Sequence, residues 1–396
     1  MEKKTIFKNR ILILISAIAM LAMLTALLIV PAGVVSAEEN SRLNNVLQSY
    51  VGVINDEYDT DVSMGTVRTL EDFAGNGYTL VECEPEGYFI MCNDSATLVE
   101  YSGTSVSPYK GYQGDLYYGG AGYFFVKQND NLYDIFNQCS VDSAYVQQLA
   151  QSSAELYADI MEEKNENMLA YLNGNAVMRR TASLGLYGKT WKVVNNADFF
   201  RNKRTTVQMS YYANGNTAYS GYVCASMLLG YYDTFKGHYG LVNSNYMTGS
   251  GVNRNFCTYD GKSFTEAYLV RILNQEGINH WSTSTQIRKA MDAYFRQQGS
   301  GLNSYDMIMP FFSSLTIKKQ IDANNPVILC GNIEGPSTPS GGQSGSGSDR
   351  AVLVYGYYKK SATKYAFLVH YAKSGYSEST VNHFSSSTFG SMYIIK

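Results

Sequence analysis

Apolar and polar positions along this chain switch between a strand-like and a helix-like period, and the order of the switches differs between its two halves. In residues 38–175 a helix is predicted over Ser41 to Asn55. Short alternating strands follow at Tyr78–Cys83, Tyr88–Cys92, Thr97–Tyr101 and Tyr123–Lys127. Glu86-Gly87 and Asn93-Asp94 supply turn chemistry between them. A long helix from Ser143 to about Leu172 closes the segment, and Asn173-Gly174-Asn175 stops it.

Residues 176–205 read as a polar, basic connector containing Arg179-Arg180, either a solvated linker or a processing site. In residues 206–396 the helices come first. Val223 to Phe235 reads as a buried helix with Met227, Leu228 and Tyr231 on one face, and a second helix is predicted from Ser263 to Gln275. Thr283 with Gln286 makes a capping box before an apolar stripe of Ile287, Met291 and Phe295, and Gly299 ends that helix. A short helix, Ile317 to Ala323, precedes strands at Val327–Cys330, Ala351–Tyr355, Tyr365–His370 and Met392–Ile395. Helices followed by antiparallel strands indicate an α+β fold rather than a doubly wound parallel sheet. The run Gly335 to Asp349 is too rich in Gly and Ser to pack; it predicts a mobile loop ending at Arg350.

Composition adds a compartment. Lys3, Lys4, Lys8 and Arg10 precede an apolar run from Ile11 to about Val35, and Val35-Ser36-Ala37 offers a small-x-small cleavage site. This is a secretory signal layout over residues 1–37, with cleavage after Ala37, so a secreted or cell-surface location is expected. The run is also long enough to span a bilayer, so an uncleaved membrane anchor is the competing reading. Loss of residues 1–37 removes four basic residues and one acidic one, moving the formal charge from −3 to −6. No basic patch stands out, which argues against a nucleic-acid partner. The 34 tyrosines and sparse charges suit either a surface that binds other polymers or simply a tyrosine-rich β fold.

Candidate chemistry narrows further. The six cysteines match no zinc template. Cys83 and Cys92 flank a predicted hairpin; they either pair in an oxidising space or stay as buried thiols. His238, His280, His370 and His383 show no ligand spacing, so neither a metal site nor a cofactor is expected.

The most informative stretch is MSYYANGNTAYSGYVCASMLLGYYD, Met209 to Asp233. With its Tyr211-Tyr212 pair, Gly221 and the Met227 to Tyr232 run, it resembles the nucleophile segment of bacterial papain-like cysteine peptidases of the bacteriocin-processing type. In that register Ser220 stands at the cysteine position and Asn214 at the oxyanion-hole glutamine position. DRAVLVYGYYKK resembles the family strand that carries the catalytic histidine, with Arg350 at its position. YAFLVHYAKSG resembles the strand that supplies the orienting residue, with His370 at about that place. The resemblance covers residues 206–396 and implies a papain-like fold. Strings in the first half, GYTLVECEPEGYFIMCND and LYYGGAGYFFV, resemble the propeptide-like region of exported peptidases of this fold.

The same resemblance implies lost catalysis. A papain-type nucleophile is a thiolate at a helix N-terminus, activated by a neighbouring imidazole. A serine hydroxyl needs a base, and a guanidinium stays protonated in proteins. The expectation is therefore a pseudoenzyme that binds a peptide or protein partner in its degenerate cleft. The alternative is an active secreted endopeptidase using atypical residues: Cys224, one helical turn after Ser220, with His370.

Overall fold

A computed structural model describes residues 37–395 apart from 137, 142, 178–190, 203–219, 279–282, 309–313, 332–349, 361–363 and 385–388. The predicted signal segment, Arg179-Arg180, His280 and the Gly/Ser-rich loop lie outside these residues, except for Ala37 itself. Chain contacts divide the molecule into Met1–Asn45 and Val46–Lys396. Among the described residues no helix is long and apolar enough to cross a membrane.

The fold is α+β. Helix α1 covers Ala37–Tyr58, and the strands β1 (Ser63–Glu71), β2 (Gly77–Glu84), β3 (Tyr88–Cys92) and β4 (Thr97–Ser102) follow. Then come β5 (Asp115–Tyr118), β6 (Phe124–Gln128), β7 (Asn131–Asp134) and β8 (Cys139–Ser140). Helices α2 (Ser143–Met161) and α3 (Glu166–Leu172), strand β9 (Lys192–Val193) and the single turn α4 (Asp198–Arg201) lead to α5 (Ser220–Phe235). Beyond the two-stranded β10 (Met247–Thr248) and β11 (Asn255–Phe256) lie α6 (Arg271–Glu276) and α7 (Ser284–Gln298). The chain finishes with β12 (Ser304–Ile308), α8 (Ser314–Asp322), β13 (Val327–Gly331), β14 (Ala351–Lys359), β15 (Tyr365–His370), β16 (Ser379–Val381) and β17 (Phe389–Ile395).

One sheet runs through both halves of the sequence, in the order β12-β17-β13-β14-β15-β16-β4-β3-β2-β1-β5-β6-β7-β8, with β9 on β14. Its neighbours are antiparallel except β1 with β5, which meet in parallel at Glu71 and Tyr117. The segments 38–175 and 206–396 are joined at β4 and β16, where Thr380 pairs with Tyr101 and Val381 with Glu100. From Val46 onward they form a single compact unit.

Local chemistry explains most boundaries. Thr283 caps α7 by accepting the Gln286 N–H, and Gly299, at φ 63°, ends it in the left-handed conformation that glycine adopts without strain. Ile287, Met291 and Phe295 are buried as their spacing requires. Helix α5 is buried almost all round, which places it at the centre of the core rather than on a face.

Two expectations need correction. The helix read as continuous from Ser143 to Leu172 breaks between Met161 and Glu166, because Asn165 caps a new helix by accepting the Met168 N–H. The helix read from Ser263 begins as a wider π turn over Thr265–Val270. Strands β1, β5 and β7 carry no clear period-two signal and were not predicted; β1 is mostly solvent-facing, with only Leu70 buried along it. Of the two readings left open for Cys83 and Cys92, buried thiols is the one observed. Cys92 lies opposite Tyr78 and Cys83 lies at the far end of the same hairpin, so both are free buried thiols.

Candidate functional site

Ser220 opens α5, and its Oγ accepts a hydrogen bond from the Ala351 backbone N–H at 2.9 Å. A serine at a helix start ordinarily caps its own helix. Here the hydroxyl is also tied to the first residue of β14, immediately after Arg350. The two positions singled out from sequence, Ser220 and Arg350, are thus brought to one place by α5 packing along β14. Asn214, the third, lies outside the described residues.

Arg350 is buried, at 4% exposure, and points into the segment that carries β6 and β7. Its Nη2 donates to the Asp134 carboxylate, and Asp134 is itself only 1% exposed. The guanidinium carbon sits 4.6 Å from the centre of the Tyr123 ring, 5.8 Å from Phe136 and 5.9 Å from Phe125. Arg350 Nε and Nη1 have no hydrogen-bond partner among the described residues, and the aromatic faces add to the attraction of the Asp134 carboxylate. Burial pulls the guanidinium down, but the Asp134 carboxylate together with Tyr145 and Tyr123 outweighs it, and the group is held above its ordinary range.

The surrounding segment closes tightly on β14 and β15. A side-chain carbon added at Gly122 would meet Tyr371 at 3.6 Å and Val352 at 3.8 Å, so the backbone there rests on both. Tyr123 contacts Phe389 edge-on, and Phe124 and Phe136 both pack on Tyr371. Lys373 places its ammonium 4.8 Å from the Phe136 ring. Burial, then the Arg350 charge, pushes its pKa down to about 8.

His370 ends β15 opposite Leu353 of β14 and is wholly buried. Its Nδ1 accepts the Ala372 N–H at 2.9 Å, which fixes the ring against its own chain turn. Cys224 is also wholly buried, and burial pushes its thiol far up. That is the state of a packed, inert cysteine rather than of a nucleophile.

The chemistry open to this arrangement is limited. Among the described residues, no histidine or carboxylate is hydrogen-bonded to the Ser220 hydroxyl, and the neighbouring Arg350 cannot accept a proton. What the site does hold is a buried cation, its carboxylate partner and a box of aromatic rings. Asp134, Tyr123, Phe136 and Lys373 were not singled out from sequence. The available signal was Arg350 itself, since a buried guanidinium requires a carboxylate from somewhere in the chain. Among the described residues no cluster of His, Cys, Asp or Glu has the makings of a metal site. Comparison with protein-family models, curated proteins and solved structures finds no match to this chain.

Proposed function

We propose that the chain is an exported homologue of papain-like cysteine peptidases that has lost catalysis and acts by binding a peptide or protein partner. The observation that carries the reading is the commitment of Arg350: at the position of the family's base stands a guanidinium already paired with Asp134. Ser220, at the nucleophile position, spends its hydroxyl on a backbone N–H. A helix N-terminus beside an antiparallel sheet is also the setting in which a papain-like fold carries its nucleophile. On this reading residues 119–136 are an internal occupant of the face beside Ser220, and a ligand there has to displace them.

The reading is tested with a panel of fluorogenic peptides and a thiol-directed activity probe on the purified chain, together with a peptide-display selection. We expect no turnover, no probe labelling and an enriched peptide class whose binding is weakened by Arg350→Ala. Turnover that disappears in Cys224→Ala would overturn it.

A further inference from the structure

Aromatic rings and side-chain amides meet at the surface formed by residues 238–271. Beyond α5 the chain makes the pair β10 and β11, with Met247 opposite Phe256 and Thr248 opposite Asn255. It then turns sharply at Asp260-Gly261. Tyr259 and Lys262 exchange backbone hydrogen bonds of 3.0 and 3.1 Å across this turn, and φ is 51° at Asp260 and 71° at Gly261. Two positive φ values between paired residues are those of a type I′ hairpin turn, so the tip is fixed by its own backbone. It presents Tyr259, which is 50% exposed. The Tyr259 ring starts a row of edge-to-face contacts: it lies 5.6 Å from Tyr246, and Tyr246 lies 5.6 Å from Tyr268. Tyr268 is in turn stacked on Phe264 at 4.9 Å. Asn243 holds this row by donating to Tyr268 Oη at 3.1 Å, while its Oδ1 accepts the Asn245 N–H. The loop that carries Asn243 also carries Tyr239, which is 84% exposed. Tyr294 ties that loop to the same rings: its Oη donates to Leu241 O, and its ring meets Phe264 and Tyr268 edge-on.

We propose that this surface binds a neutral carbohydrate, with Tyr259 and Tyr239 as stacking platforms and the Asn243 and Asn245 amides as partners for its hydroxyls. A pyranose ring has a face of C–H bonds that carry weak positive charge, and such a face seats against the negative face of an aromatic ring. Rings held by a hairpin tip and by a packed row need little further ordering when a ligand arrives. Sugar hydroxyls both donate and accept, and so do side-chain amides and hydroxyls. Asn243, Asn245 and Asn253 are exposed here together with Ser244, Thr248 and Thr258. Charge decides against a polyanion. Arg254 is committed to Asp233 and Thr234, and Glu266 to Ser263. Lys262 and Arg271 then stand against Asp260, with the Arg271 guanidinium already 5.6 Å from the Tyr268 ring centre. A nucleic acid requires a stripe of lysines and arginines instead. A stable protein interface requires a broad apolar centre, whereas Met247, Phe256 and Phe264 are buried beneath this surface. The inference does not rest on the reading of the face beside Ser220. The chain enters this region from Phe235, at the other end of a 16-residue helix from Ser220.

Calorimetric titration of the full chain with neutral hexasaccharides tests it, using β-1,4-linked glucose, α-1,4-linked glucose, β-1,4-linked mannose and β-1,4-linked N-acetylglucosamine. At least one should bind, with the same affinity at low and high salt, because no ion pair is involved. Tyr259→Ala and Tyr239→Ala should each weaken binding about three- to tenfold, and Tyr259→Phe, which keeps the ring face, should preserve it. Asn245→Ala should also weaken it. These side chains are exposed, so the urea midpoint should stay in place in every variant, which separates a lost contact from lost folding. Three results overturn the proposal: no sugar of the panel binds, binding persists unchanged in the double variant Tyr239→Ala/Tyr259→Ala, or high salt abolishes it.

Discussion

Arg350 and Asp134 form a buried ion pair across 216 positions of the chain, and neither is more than 4% exposed. The pair joins the start of β14 to the end of β7. It ties the two segments together.

Removing one partner of such a pair leaves an uncompensated charge in a dry site. Asp134→Leu and Arg350→Met should each destabilise the chain by about 3–5 kcal/mol, while the two combined should recover most of that loss. Urea denaturation of the two single variants and the double variant checks this as a cycle. A loss in the double variant equal to the sum of the two single losses would deny the pair its role.

Ser220 is expected to matter for packing and not for turnover. Ser220→Ala leaves the Ala351 N–H without its acceptor, at a cost of about 1 kcal/mol. Peptide hydrolysis, measured alongside, should be as low as in the parent chain.

Thiol accessibility follows burial. Cys257 is half-exposed, whereas Cys83, Cys92, Cys224 and Cys330 are buried. A thiol reagent under native conditions should modify Cys257 ahead of these four. In denaturant without reductant, Cys83 and Cys92 should both be modified, as mass spectrometry of the labelled peptides would show.

His383 gives the chain a pH dependence. Its ring is 8% exposed, with Nε2 3.5 Å from Glu163 Oε2. Burial first, then the Lys360 and Lys364 charges, pull its pKa well below the ordinary value, so the Glu163 contact does not make it a cation. A histidine depressed in the folded state contributes stability that is complete above its unfolded pKa, about 6.5, and is lost as pH falls below it. The stability of the parent chain relative to His383→Gln should therefore shrink on acidification below pH ~6.5. Urea midpoints on either side of that value decide it, and a difference independent of pH would refute the assignment.

Much of the fold was legible because it is written locally. The capping Thr283, the stripe Ile287–Met291–Phe295 and Gly299 delimit α7 within a few residues, and the short apolar runs Tyr88–Cys92 and Tyr365–His370 mark β3 and β15 at their observed bounds. Strand β1 was not legible, since a strand lying mostly in solvent lacks the apolar alternation that identifies one. The break at Asn165 was hidden for a related reason: helical spacing on both sides masks a local side-chain bond that restarts the helix.

At the site, the sequence by itself determined which functional groups are available: a hydroxyl at Ser220, a guanidinium at Arg350, and no thiol or imidazole at either position. These are properties of side chains and need no neighbours to be known. Only the tertiary structure decided where those groups spend their bonds. The Ala351 N–H that meets Ser220 and the Asp134 that neutralises Arg350 come from distant segments. The second of these links the two halves, which one sheet joins at β4 and β16, a pairing set by long-range burial rather than by any local period in the chain.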